Sequence, residues 1–308
     1  LYLACLRCGV VFLPVNPDYT LAETQHFLTD AAPALALVDA ARAKAIADSG
    51  VRTLAMGDFL DLAATKGADF ADPPFAPGDL AAILYTSGTT GRSKGVMLSR
   101  DNLASNAETL AGLWHFNESD VLLHALPVFH THGLFVATNC VVYAGASMIF
   151  QRGFAPDDVL GALPQATVMM GVPTFYSRLL GDPRLNPALC QGVRLFISGS
   201  APLSPATHAA WKARTGHVIL ERYGMTETNM ITSNPYAGDR RAGTVGMALP
   251  GVSLRVVDPL GQPVAPGAAG SIEVRGPNVF QGYWRMPVET AKEFRDGWFV
   301  TGDLGAVD

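Results

Sequence analysis

The chain has 308 residues, 49% of them hydrophobic, and a formal net charge of −5. That is enough apolar material for a large core in one domain or two. The acidic balance excludes the basic stripe that a nucleic-acid partner requires, and no apolar run reaches the ~18 residues of a membrane span.

The first pattern along the chain is helical, with Leu3, Leu6, Arg7 and Val10 at helical spacing. Cys5 and Cys8 have the spacing of a redox or zinc pair, but the four cysteines contain no second pair, so these two read as small core residues. Few, scattered cysteines point to a reducing compartment, taken as cytoplasmic. The chain opens at Leu1 inside this helical pattern and closes at Asp308 directly after "DGWFVTGDLGAVD". The expectation is a sequence cut at both ends, with any targeting segment upstream, which leaves a mitochondrial address open.

Apolar runs at 34–38, 121–126, 147–150 and 193–197 then read as strands, and 102–114 as a helix with Leu103, Ala107, Leu110 and Trp114 on one face. This alternation predicts an α/β fold with largely parallel sheets over residues 1–240. After residue 240 the short runs "GVSLRVVD", "GSIEVRG" and "VFQGYW" lie between Gly/Pro turns, which predicts a β-rich subdomain of the same domain over 241–308. A Pro/Gly loop at 73–78 precedes the apolar run 80–84, which leads into "YTSGTTGRSKG" at 85–95.

A loop that wraps oxyanions requires glycines for close approach of backbone N–H groups, hydroxyl donors and a cation. Gly88, Gly91 and Gly95, the hydroxyls of Thr86, Ser87, Thr89, Thr90 and Ser93, and Lys94 supply all three. The Walker spacing fails, because Lys94 follows Ser93 and precedes Gly95. The residues alone therefore leave a phosphate loop of another kind or a surface hairpin.

Three more stretches follow in order: "SGSAPL" at 198–203, "ERYGMTET" at 221–228 and "TGD" at 301–303. With the glycine-rich loop they resemble the signature motifs of the acyl-adenylate-forming (AMP-binding) superfamily, which includes acyl-CoA synthetases and luciferases. The sequence departs from the common pattern at Ser93, where many members have Pro, and at Arg100, where many have His. The resemblance implies the large N-terminal adenylating domain and a reaction joining a carboxylate to ATP. Thr86, Ser87, Gly88, Thr89, Thr90, Gly91 and Lys94 would hold the β- and γ-phosphates. Gly199, Ser200, Ala201 and Pro202 would line the adenine and acyl pockets. Within Glu221, Arg222, Tyr223 and Gly224, the flat face of Tyr223 would meet adenine. Thr226 would donate to the α-phosphate, Glu227 would ligate Mg²⁺, and Asp303 would take the ribose hydroxyls. Coenzyme A would be the second acceptor.

"PVFHTHG" at 127–133 places His130 and His132 two apart, on one side of a strand if it is extended, as in some metal sites. No third ligand lies nearby. Core or capping roles remain, and the resemblance implies a wall between the acyl and nucleotide pockets with His132 near the reacting carboxylate.

The acid is set by the pocket. A dicarboxylate requires a cation for its second carboxylate. "GVPTFYSRLL" at 171–180 predicts a short helix opened by Pro173 and carrying Arg178. Taken alone, Arg178 reads as an exposed helix arginine. This stretch, "LFISGSAPL" and "LERYGMTETNMITSNPY" are similar to those of malonyl-CoA synthetases, which implies malonate, with methylmalonate as a further candidate. Arg178 would then pair with the distal carboxylate, aided by Ser198 or Ser200 and by His132, with Met225 in the pocket. Arg222 is a second candidate cation, though its place beside Tyr223 favours a role in the fold or at the acid's carboxylate rim. The alternatives are a short- or medium-chain monocarboxylate ligase and a non-catalytic nucleotide-binding fragment. Members of the family continue into a small C-terminal lid that carries a catalytic lysine. The 308 residues lack it, so as a fragment they are expected to turn over poorly.

Overall fold

The computed structural model describes residues 1–67, 69–86 and 93–308. Ser87, Gly88, Thr89, Thr90 and Gly91 of the glycine-rich loop lie outside the described residues.

The N-terminal part runs α1 (Tyr2–Cys8), α2 (Leu21–Ala31), β1 (Ala36–Val38), α3 (Ala40–Ala45), β2 (Thr53–Ala55) and α4 (Met56–Ala64). Here β1 and β2 form a small parallel pair. The antiparallel strands β3 (Leu80–Tyr85) and β4 (Gly95–Ser99) flank the glycine-rich loop. Ser99 then starts α5 (Arg100–Leu113) with a capping box: its hydroxyl accepts from Asn102 N–H while Asn102 Oδ1 accepts from Ser99 N–H. The Asn102 amide also donates to the carbonyls of Pro277 and Val279, which ties the helix start to a distant segment.

The next elements are β5 (Val121–His124), α6 (Asn139–Ala144), β6 (Ser147–Phe150), α7 (Pro156–Ala162), β7 (Val168–Gly171), α8 (Pro173–Leu180), β8 (Leu195–Ser198), α9 (Pro205–Thr215), β9 (Leu220–Met225), β10 (Asn229–Ser233) and β11 (Met247–Ala248). Their strands build one sheet in the order β11-β10-β9-β8-β7-β5-β6, parallel from β9 to β6 and antiparallel at β10 and β11. Both faces of the central strands are covered, so β7 and β8 are buried throughout, while the edge strand β6 stays partly exposed. Val168 and Met170 of β7 face Leu110 and Trp114 on one side, and Met169 faces Val159, Leu179 and Trp211 on the other.

The chain closes with β12 (Ser253–Val257), β13 (Gly270–Arg275), β14 (Gly282–Tyr283), α10 (Pro287–Lys292), β15 (Phe294–Arg295) and β16 (Trp298–Gly305). Four of these strands form an antiparallel sheet, β12-β13-β16-β15. The segment after residue 240 also reaches back: β11 extends the large sheet, and β14 pairs with β4. No helix among the described residues is long and apolar enough to cross a membrane.

Candidate active site

The carboxyl ends of β5, β7, β8 and β9 converge on one edge of the large sheet, where ligands bind in open α/β sheets. His132 comes to this edge from a π-helix, His132–Thr138, an irregularity that concentrates at functional sites. The extended strand expected for "PVFHTHG" is thereby corrected: His130 is exposed and His132 buried, so the two do not share a strand face. Side-chain contacts hold the π turn, because Gly133 O accepts from His124 Nε2–H at 2.8 Å and from the Thr138 hydroxyl at 3.0 Å.

Beside His132 stands Ser200, whose Oγ is 3.2 Å from His132 Nδ1. Its φ of 68° lies in the left-handed region, where a non-glycine residue stores strain that recurs at binding sites. Burial, then the neighbouring Arg222, His124 and His130, depress the His132 imidazole well below its usual range. It is a neutral hydrogen-bonding group at pH 7.

Strand alternation sends Glu221 and Arg222 of β9 to opposite faces, and both are buried. Glu221 Oε1 accepts from Leu203 N–H at 2.8 Å, and burial pushes its carboxyl up. Arg222 is 2% exposed, with its guanidinium packed over Gly199, where a Cβ would lie 2.4 Å from Arg222 Cζ. Desolvation lowers that guanidinium to about 9, still charged at neutral pH. Its Nε and Nη2 have no hydrogen-bond partner among the described residues, nor do Ser198 Oγ and His132 Nε2. An unpaired buried charge costs several kcal/mol, and such a cluster of unsatisfied polar atoms suits an anionic ligand.

Arg178 differs from Arg222. It sits on α8, which Pro173 opens as the sequence predicts, but it is exposed, its guanidinium 4.9 Å from the Phe154 ring. Phe154 in turn stacks on Phe175 at 3.9 Å.

The nucleotide-facing residues predicted from "ERYGMTE" and "TGD" come together. The Tyr223 hydroxyl donates to Asp303 Oδ2 at 2.6 Å across 80 residues of chain. Gly224 leaves room for β10, since a Cβ there would lie 1.9 Å from Asn229 O. Ser200, Ala201 and Pro202 are exposed along the rim, whereas Gly199 is buried and Met225 half-buried. Thr86 and Thr226 line one cavity of about 100 Å³ together with Tyr85, Phe129 and His130.

Glu227 is buried, and desolvation raises its carboxyl, opposed by Tyr283 and Lys94. The Tyr283 hydroxyl donates to Glu227 Oε1 at 3.0 Å. Lys94 Nζ pairs with Glu293 Oε1 at 2.9 Å and lies 4.3 Å over the Tyr283 ring. No cluster of three His, Cys, Asp or Glu side chains that could hold a metal occurs among the described residues. A single buried carboxylate fits magnesium, which takes one or two protein carboxylates and completes its octahedron with phosphates and water. Sequence reasoning missed Tyr283 and Glu293. They meet their partners across 56 and 199 residues, and no local pattern signals either contact.

The profile of the AMP-binding enzyme family matches residues 1–284. The chain belongs to the AMP-binding enzyme family. Among similar curated family members, the mouse malonate–CoA ligase ACSF3 is 39% identical over 259 residues, covering 72% of this chain and 44% of the relative. The Arabidopsis thaliana malonate–CoA ligase is 33% identical over 338 residues, covering 97% and 54%. The ATP-bound MatB of Rhodopseudomonas palustris superimposes with a TM-score of 0.97 at 56% identity, covering all of this chain and 63% of that one. The chain spans about half the length of the curated relatives it matches. Its α/β core and antiparallel C-terminal sheet are the adenylating-domain fold of the acyl-CoA synthetases.

Proposed function

We propose that the protein is the adenylating part of an ATP-dependent acid–thiol ligase that converts malonate to malonyl-CoA. The observation that carries this reading is the buried guanidinium of Arg222, without a hydrogen-bond partner at Nε and Nη2 among the described residues, beside Ser198, Ser200 and His132 and next to the Tyr223–Asp303 pair. An acid pocket thus adjoins a nucleotide edge. Malonate–CoA ligases among the relatives, and a malonyl-CoA ligase solved with methylmalonyl-CoA and AMP at 38% identity, support the same acid.

In this reading the distal carboxylate of malonate sits on Arg222, and Arg178 closes the exposed side of the pocket. Burial reverses the order of these two cations from the one the sequence suggests, because a desolvated guanidinium gains more from an anion than an exposed one. The other carboxylate, hydrogen-bonded by neutral His132, attacks the α-phosphorus of ATP, forming malonyl-adenylate and releasing pyrophosphate. Thr226 donates to the α-phosphate, Thr86 and Lys94 hold the outer phosphates, Tyr223 faces adenine and Asp303 binds the ribose. Magnesium on Glu227 and the phosphates would supply charge neutralisation. The thiol of coenzyme A then displaces AMP from the acyl carbon. Positioning and electrostatics carry the chemistry, so a small loss of geometry costs a large factor in rate.

The test is thioester formation by the full-length protein with malonate, methylmalonate, acetate and octanoate, each with ATP, Mg²⁺ and coenzyme A. Malonate is expected to be used best and methylmalonate next. Octanoate or acetate used as well as malonate would replace the dicarboxylate reading with a monocarboxylate one.

A further inference from the structure

Four contacts meet at Tyr283. Its hydroxyl donates to Glu227 Oε1, and its ring face carries the Lys94 ammonium. Its strand, β14, pairs with β4, the strand that directly follows Lys94, with Tyr283 opposite Val96. Phe280 N–H donates to Glu227 O at 2.8 Å, and the Phe280 ring packs edge-on against Tyr283 at 4.9 Å. One short segment therefore fixes the loop lysine and the buried carboxylate together.

The chemistry of the partner is informative. A desolvated carboxylate requires a donor, but a lysine or arginine there would cancel the charge a cation ligand uses. A phenol satisfies the oxygen and leaves the charge. Lys94 in turn is held by Glu293 at 2.9 Å, so an incoming triphosphate competes with a carboxylate for the same ammonium. An ammonium on an aromatic face keeps part of its stabilisation while it changes partners.

We propose that Tyr283 is a positioning residue that holds Glu227 ready for a divalent cation, and that Glu293 is the resting partner from which Lys94 is released when the triphosphate binds. This inference rests on the adenylating reading above. It predicts opposite signs for two conservative changes. Tyr283→Phe keeps the ring under Lys94 and removes the hydroxyl, so ATP binding in Mg²⁺ weakens by about 10-fold or more while binding in EDTA is unchanged. Glu293→Gln removes the competitor, so ATP binding tightens, by up to about fivefold for a half-exposed pair. A purely structural role would weaken binding in both variants, with and without metal, and lower both melting temperatures.

The experiment is calorimetric titration of full-length wild type, Tyr283→Phe and Glu293→Gln with ATP, in Mg²⁺ and in EDTA, beside thermal melts. The proposal expects the metal-dependent loss in the first variant and the gain in the second. Wild type that binds ATP, together with an unchanged metal dependence in Tyr283→Phe, overturns the proposal and leaves the adenylating reading intact. Wild type that binds no ATP in either buffer overturns both. If Tyr283→Phe fails to fold, Glu293→Gln decides, and weakened binding there overturns the proposal.

Discussion

Arg222→Met separates function from stability in a way that few site mutations do. Arg222 is 2% exposed, and its Nε and Nη2 have no hydrogen-bond partner among the described residues. Replacing even a buried ion pair with apolar side chains of similar volume can stabilise by about 1–4 kcal/mol. A buried guanidinium without an ion-pair partner among the described residues has no such attraction to lose, so the same range is expected here. At roughly 2–4 °C per kcal/mol for a domain of this size class, the melting temperature of the variant rises by about 2–16 °C. Malonate then loses its buried cation and keeps only the exposed Arg178, and removing one member of a buried charge pair costs about 2–5 kcal/mol. The malonate KM therefore rises at least ~30-fold, taking the low end of that range at ~1.4 kcal/mol per decade. Arg222→Lys keeps the charge but loses the planar fork packed on Gly199, so it recovers only part of the affinity. The assay pairs thermal melts without acid with malonate titrations of thioester formation. A variant that melts below wild type and keeps its malonate KM would refute the account of Arg222 as an uncompensated acid-binding cation.

Other expectations follow from the same geometry. Arg178→Ala raises the malonate KM less than Arg222→Met, by under about 10-fold, because an exposed cation is screened; equal or larger effects in the same titration would return the primary role to Arg178. Asp303→Ala weakens ATP binding by about 10-fold through the loss of a charged acceptor, with the melting temperature nearly unchanged because Asp303 is exposed; a large drop in melting temperature would contradict it. The Glu227 carboxyl is raised above its ordinary 4.5, chiefly by burial. Between that value and its folded value the native state holds a proton that the unfolded chain has shed, so stability falls as pH rises through the window. Glu227→Gln removes part of this slope, and Mg²⁺-dependent ATP binding strengthens across the same window. Denaturant melts from about pH 4.5 to 8 that show the same slope for both proteins would count against the assignment.

The sequence was most readable where the signal is local. The run at 147–150 stands as a strand, the run at 193–197 forms one from Leu195 to Ser198, and the helix over 102–114 begins two residues earlier, at Arg100, because Ser99 caps it. Pro173 opens α8 as its fixed φ suggests. Reading failed where tertiary contacts decide. "PVFHTHG" carries no periodicity that separates an extended segment from a π turn, and the turn is held by His124, nine residues away in sequence. The motifs around Tyr223 and Asp303 predicted a shared nucleotide edge, but their direct hydrogen bond was not legible in either motif. The burial of Arg222 and the exposure of Arg178 depend on which strand face and helix face the core covers, and spacing alone left both arginines as candidates. Tyr283 reads in sequence only as the end of a short strand. Its role emerges once β14 is seen to cross from the C-terminal segment to β4.

The central claim is that this fold activates malonate as an adenylate. The most direct measurement is exchange of labelled pyrophosphate into ATP by the full-length protein, with Mg²⁺ and without coenzyme A. The account predicts exchange that depends on malonate and is lost in Arg222→Met. Exchange supported equally by octanoate, or malonate-dependent exchange that survives Arg222→Met, would contradict it.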